Sequence, residues 1–299
     1  MIPTPIAFPL FVTGCLALAV AFGATPNGQE RKLNIIAFGA HPDDCDIRAG
    51  GTAAKWVAAG HKVRFVAVTN GDAGHQTEGG GALAARRRKE AQEAGKRIGA
   101  DYVVLDNHDG ELLPTLDVRL QVIRQMRLWN ADLVLAPRPN DYHPDHRYTG
   151  VIVQDAAYMV TVPNVAPDTP SLRTNPVFMY FQDGFQKPAP FRPDVAVSID
   201  DTIDKKIDML DAHVSQFYEW LPWHAGILDQ VPKDATARKA WLKKQRGGGG
   251  PSQAVRQALE KWYGPERASK VQHAEAFELC EYGSRANDAD IRRLFPFFQ

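Results

Sequence analysis

The stretch Leu33-Asn34-Ile35-Ile36-Ala37-Phe38-Gly39-Ala40-His41-Pro42-Asp43-Asp44 passes from an apolar run of strand length into a polar exit rich in imidazole and carboxylate. Short apolar runs bounded by turn residues read as buried strands. The pattern recurs downstream: VRFVAVT (residues 63–69), residues 102–105 and residues 133–136 are three further strands. Between them lie helical patterns at about residues 52–59, 82–98 and 118–129. Strands alternating with helices at this spacing imply right-handed βαβ units, and so an α/β fold with a parallel sheet covered on both faces.

Sheets of this kind carry their chemistry at the carboxyl ends of the strands. Four polar exits should therefore share one rim: residues 41–46, 70–75, 107–111 and 138–147. The first holds His41-Pro42-Asp43-Asp44, and the fourth reads Asp141-Tyr142-His143-Pro144-Asp145-His146. Mixed imidazole and carboxylate donors suit zinc and related divalent metals. Each proline fixes its own φ and holds the preceding histidine extended, which makes the presentation rigid. For either loop alone, helix capping by Asp and His accounts for the residues equally well. Two His-Pro-Asp tripeptides at two exits of one sheet point instead to a site, since capping does not require several imidazoles and carboxylates to converge.

Composition narrows the functional classes. The 299 residues carry 35 Lys+Arg against 35 Asp+Glu, a formal net charge of zero, with 44% hydrophobic residues. Balanced charge argues against a dedicated nucleic-acid binder, and the apolar fraction removes disordered, collagen-like and coiled-coil classes. Cys15, Cys45 and Cys280 are too few and too dispersed for a cysteine-built zinc site.

Charge is unevenly placed along the chain. The first charged side chain is Glu30, and residues 6–22 are almost wholly apolar. Residues 1–24 read as a signal peptide cleaved near Ala21, Gly23 and Ala24, which would make the protein secreted or periplasmic. Lipidation at Cys15, within Val12-Thr13-Gly14-Cys15, and an uncleaved membrane anchor are the alternatives. In each case any membrane association runs through the N-terminal segment.

The two His-Pro-Asp motifs occur with Thr69-Asn70-Gly71-Asp72, Arg87-x-x-Glu90, Asp109-Gly110-Glu111-Leu112 and His213-Val214-Ser215-Gln216. Together these segments resemble the LmbE/PIG-L family of zinc-dependent N-acetylglucosaminyl deacetylases over residues 34–216, with a weaker match at Glu275-Ala276-Phe277. The resemblance implies a Rossmann-like sheet, one Zn2+ per chain, and hydrolysis of an acetamide on a glucosamine-containing small molecule or glycan. It assigns His41, Asp44 and His146 as zinc ligands and Asp43 as general base. It assigns His143 to the oxyanion and the leaving amine, with Asp145 orienting His143. Arg87, Asp109 and Tyr142 are candidate substrate contacts, Asp109 being equally a capping residue.

The chemistry of these residues agrees with the assignment. Three protein ligands leave a position open for water, whose pKa zinc brings to about 7. Two features depart from the family pattern: Cys45 stands where many members have an acidic residue, and Asp141 where some have a tyrosine. Cys45 reads as a packed residue, or as a fourth metal ligand. Residues 31–299 read as one domain with a C-terminal elaboration at 217–299, in which aromatic residues 217–224 form either a substrate wall or core. Metal-dependent hydrolysis of another bond, such as a phosphoester, and noncatalytic carbohydrate binding are the competing functions.

Overall fold

A computed structural model describes residues 31–247 and 249–298, so the apolar segment read as a signal peptide lies outside the described residues, Cys15 included. The element order is β1 (Asn34–Gly39), α1 (Asp44–Ala58), β2 (Lys62–Thr69), α2 (Gly80–Ile98), β3 (Asp101–Asn107), α3 (Leu116–Trp129), β4 (Leu133–Ala136) and α4 (Pro144–Met159). There follow β5 (Val177–Phe181), β6 (Val195–Ser198), α5 (Ile203–Ala212), a π-helical turn (Ser215–Trp220) and the short α6 (Leu221–His224). The chain then forms a 3₁₀ turn (Leu228–Gln230), α7 (Ala235–Arg246), α8 (Gln253–Tyr263), α9 (Pro265–Lys270), β7 (Ala274–Leu279) and α10 (Asp288–Leu294).

The strands form a seven-stranded sheet in the order β3-β2-β1-β4-β5-β7-β6. β1 to β5 pair in parallel, and β7 runs antiparallel to both β5 and β6. The sheet is mostly parallel, as the alternating pattern predicts. Along β1, Ile35 and Ala37 pack into one core and Ile36 and Phe38 into the other. A strand buried on both faces reads as a continuous apolar run, which is why no alternation was visible. Helices α1, α2 and α5 pack together, and α3 packs with α4.

Chain order reverses between β1 and β4. In open α/β sheets the ligand crevice lies at that reversal, outside the carboxyl ends. The two His-Pro-Asp motifs leave these two adjacent strands. Gly39 makes the first exit possible, because a Cβ there would come within 2.6 Å of the Asp44 Cβ.

One helix differs from the sequence expectation. α1 starts at Asp44 rather than near residue 52 and runs through Gly50 and Gly51. Gly51 is packed so closely that a Cβ would meet Ile199 at 2.8 Å, and Glu275 on β7 accepts the Gly51 and Thr52 N–H groups at 3.0 and 2.7 Å. Tertiary contacts therefore sustain a helix through a glycine pair whose local propensity is poor.

The C-terminal tail docks on the fold: Leu294 and Phe295 are fully buried, and Trp56 Nε1 donates to the Leu294 carbonyl at 2.8 Å. Among the described residues no helix is long and apolar enough to cross a membrane.

Candidate metal and catalytic centre

The two motif loops are built by helix starts of different construction. At α4, His143 is the N-cap and Pro144 follows it, with His143 Nδ1 accepting the Asp145 N–H at 3.2 Å. At α1, Asp43 holds the cap position but makes no side-chain cap bond. Its buried carboxylate lies instead 3.4 Å from the Arg87 Nη2. The capping account thus holds for His143 and fails for Asp43.

Three potential ligand atoms converge between the loops. His41 Nδ1 is 3.2 Å from His146 Nε2, and Asp44 Oδ2 is 3.6 and 3.4 Å from those two nitrogens. A tetrahedral zinc site with bonds of about 2.0–2.2 Å has ligand-to-ligand edges of about 3.3–3.6 Å. The triangle has that size.

The outer ring nitrogens face carboxylates. His41 Nε2 lies 3.0 Å from Asp109 Oδ1 and 3.4 Å from Asp145 Oδ2, and His146 Nδ1 lies 3.1 Å from Asp141 Oδ1. The two carboxylates at His41 Nε2 sit to the side of its N–H direction, so the contact is electrostatic rather than a well-formed hydrogen bond. An acceptor-only carboxylate favours the proton on the nitrogen it faces. A ring that gives up its second proton offers its inner nitrogen, His41 Nδ1 or His146 Nε2, as a lone pair beside a carboxylate oxygen, the donor set that a metal cation would take in place of a proton. Carboxylates behind metal-bound histidines orient such rings and strengthen them as ligands. Burial acts to raise the Asp44 carboxyl, but His146 and His41 outweigh it and hold it well below the usual carboxylate range.

Asp43 is buried beside this triangle. Burial raises its carboxyl above the usual range, with Arg87 opposing and Asp44 adding to the rise. The His143 ring centroid is 4.6 Å from that of His41. Burial lowers the His143 pKa, and the neighbouring His41 and His146 push it the same way. Because its Nδ1 accepts a backbone N–H, its proton sits on Nε2. These residues open onto a cleft of about 550 Å³, lined also by Arg48, Tyr142, Gln216, Trp220 and Arg246.

Several expected roles are corrected. The Asp145 carboxylate, expected to orient His143, makes no hydrogen bond to that ring among the described residues; only the Asp145 backbone N–H reaches it. Fully buried, the carboxylate accepts the Gly110 and Leu112 N–H groups at 2.7 and 3.3 Å, pinning the β3 exit beneath His41. Asp109 backs His41 rather than capping a helix. Arg87, only 2% exposed, spans the Gly71 carbonyl, Asp43 and Asp109, so it positions carboxylates while its surface forms part of the cleft wall. A Cβ on Gly71, whose φ is +73°, would meet its guanidinium at 2.5 Å.

Tyr142 is 74% exposed at the rim, its ring 5.7 Å from His143. Cys45 is packed in the core, its Sγ donating to the Ala37 carbonyl, and it is a free thiol, as is Cys280. Asp141, which stands where some members of the family have a tyrosine, faces His146 Nδ1 at 3.1 Å. Its role facing His146 had no local signal, since the same Oδ1 also accepts the His143 N–H at 3.0 Å in an ordinary turn.

The family segments at Arg87-x-x-Glu90 and 213–216 meet in space. Glu90 accepts the Ser215 N–H and hydroxyl at 3.0 and 2.5 Å, and Gln216 donates to the Gly74 carbonyl at 3.0 Å. A further cluster, His75, Glu78 and Glu219, already holds a cation, because Arg86 bridges both glutamates at 2.8 and 2.7 Å.

Residues 36–157 match the family described as PIG-L, GlcNAc-PI de-N-acetylase. The diacetylchitobiose deacetylase of Thermococcus kodakarensis is 30% identical over 227 residues, covering 68% of this chain and 81% of the relative. The chain belongs to the PIG-L family. Among solved structures, the N,N'-diacetylchitobiose deacetylase of Pyrococcus horikoshii, complexed with its inhibitor MPG, matches with a TM-score of 0.61 and 25% identity over 83% of this chain and 84% of its own. The 4-carboxy-2-hydroxymuconate hydratase of Pseudomonas putida matches equally in shape, with a TM-score of 0.61 at 19% identity over 86% of this chain and 99% of its own. That likeness concerns the fold alone. Since one PIG-L-like fold carries two named chemistries, activity has to be argued from the site.

Proposed function

We propose that the protein is a zinc-dependent deacetylase that hydrolyses the acetamide of an N-acetylglucosamine-type substrate. The observation that carries this reading is the triangle of His41 Nδ1, Asp44 Oδ2 and His146 Nε2, beside an uncoordinated Asp43, at the chain reversal of the sheet. The donor set and its spacing fit one zinc ion, which when bound would acidify water and polarise the amide oxygen.

The chain's own residues supply the rest. Asp43, held by Arg87 and raised by burial, accepts the water proton. His143 presents its Nε2–H to the carbonyl oxygen as that oxygen gains charge, and the proton that Asp43 took from water passes to the departing amine as the carbon–nitrogen bond breaks. Trp220 offers an apolar wall for a pyranose ring, backed by Trp223 stacked at 5.4 Å. The relatives named as diacetylchitobiose deacetylases support the substrate class. The apolar, uncharged residues 6–22 support an exported protein, which N-terminal sequencing of the mature chain tests: a first residue of Met1 would reject cleavage.

Acetate release from a panel of N-acetylated sugars is the direct assay. Chelation should abolish it, and about one equivalent of zinc should restore it. Full turnover in metal-free protein would sink the metal role. Turnover of phosphoesters with two metals bound would favour the competing hydrolase.

A further inference from the structure

The cleft wall carries two arginines, Arg48 and Arg246, that make no salt bridge among the described residues. Arg48 lies on α1 four residues beyond Asp44, about 6 Å along the helix axis, and its Nη1 donates to the Gln182 carbonyl at 2.8 Å. Arg246 ends α7, its guanidinium 5.0 Å from the centroid of the Phe217 ring. Both line the cleft that contains Asp43, His41 and His143.

Among the described residues neither arginine is ion-paired with a carboxylate. Other arginines of this fold are paired: Arg138 with Asp183 at 2.6 Å, Arg97 with Asp211 at 2.8 Å, and Arg87 with Asp43 and Asp109. Arg246 is open to solvent at the cleft mouth, yet the surrounding wall removes enough water to push it below the usual guanidinium range. Asp43 opposes that shift and the positive charge of Arg48 adds to it.

We propose that Arg48 and Arg246 form an anion subsite that selects N-acetylated substrates carrying a phosphate or carboxylate near the reacting amino group. Two like charges facing one space, each with N–H donors to spare, are relieved by an anion that bridges them. A guanidinium has five N–H donors in a fixed fork that suits phosphate and carboxylate alike. The contact with the Phe217 ring holds the Arg246 guanidinium at the cleft, which reduces the ordering cost of binding. The placement of Arg48 one turn from Asp44 sets the anion on the reacting sugar or the unit joined to it. The substrate part of this inference rests on the deacetylase reading; the anion subsite does not.

Two measurements separate the two. In metal-free protein, calorimetric titration with inorganic phosphate should show one site, weakened about 10–100-fold in Arg246→Glu, the effect of losing charge-assisted hydrogen bonds. Absence of phosphate binding, or binding as tight in Arg246→Glu and Arg48→Glu as in the parent, overturns the subsite whatever the enzyme's activity. In zinc-loaded protein, kcat/KM is compared for N-acetylglucosamine, its 6-phosphate and 1-phosphate esters, and N-acetylmuramic acid, whose anion is a carboxylate.

The best anionic substrate should exceed the neutral sugar by at least about tenfold, and Arg246→Glu should cut that ratio by at least about tenfold, with Arg246→Gln between. The phosphate and carboxylate arms identify which anion is preferred. A neutral sugar turned over as well as the anionic ones, or a ratio unmoved in Arg246→Glu, overturns the selectivity. Acetate release from none of them defeats the deacetylase reading instead, while the phosphate titration still decides the subsite.

Discussion

The loops after β1 and β4 carry the same His-Pro-Asp tripeptide and use it in opposite ways. After β1 the histidine, His41, turns its Nδ1 toward His146 and Asp44, and the aspartate, Asp43, faces the cleft against Arg87. After β4 the histidine, His143, caps a helix and keeps its other nitrogen for the cleft, while the aspartate, Asp145, turns into the protein to hold two backbone amides. The difference lies in what the helix start demands. Where the histidine satisfies the helix N-terminus, the aspartate is released inward. Where no side chain caps, the aspartate is left free for chemistry. A tripeptide thus does not carry its roles with it.

The sharpest way to break this comparison is to change the two aspartates. Asp43→Asn should lower kcat by about 10²–10⁴-fold, the usual range for loss of a general base, with zinc content and melting temperature retained. Retained turnover would reject Asp43 as base. Asp145→Ala should instead be a stability mutant, losing about 1–3 kcal/mol for each N–H left without its acceptor, measured by denaturant unfolding. If Asp145→Ala unfolds like the parent and fails only in turnover, the buried-pin account of the second loop is wrong.

The carboxylates behind the ligands refine the picture. Asp109→Ala and Asp141→Ala should each weaken zinc by about 10–100-fold, as loss of a partner behind a metal-bound histidine does, read by competition with a chromogenic chelator. Asp109→Ala should also loosen Arg87, so the larger loss of kcat is expected there. Equal zinc affinity in both variants and the parent would remove these residues from the metal site.

The smallest effect is on titration. In metal-free protein His41 is raised well above the ordinary imidazole range: burial lowers it, but Asp109, Asp145 and Asp44 prevail. His143 is lowered by burial and its histidine neighbours. The stabilising contribution of His41 is therefore full below about pH 6.5 and lost as pH rises through its elevated folded value. That of His143 is present above about pH 6.5 and lost as pH falls through its depressed one. Ring NMR of metal-free protein at pH 6.5 should find His41 charged and His143 neutral, and the reverse order would contradict the separation of roles.

Much of this protein was legible in its sequence. The strand and helix alternation gave the sheet, because apolar runs of four to eight residues bounded by turns admit few other readings. The convergence of His41, Asp44 and His146 was legible for a similar reason: Asp44 and His146 each lie within a few residues of a histidine and a proline that fix the local chain. What the sequence could not supply was partnership across loops. Asp109 meets His41 from the exit of β3, Arg87 reaches Asp43 from α2, and Arg246 enters the cleft from some two hundred residues downstream of the first motif.

The early start of α1 was hidden for a related reason, since Ile199 and Glu275 sustain helix through Gly50 and Gly51 from distant strands and loops. Local spacing determined which elements form and which ends of them are polar. Only the tertiary structure decided which carboxylate backs which histidine, which aspartate faces the cleft, and which arginines are left without a salt bridge, because those outcomes depend on distances of about 3–4 Å between segments that sequence proximity does not constrain.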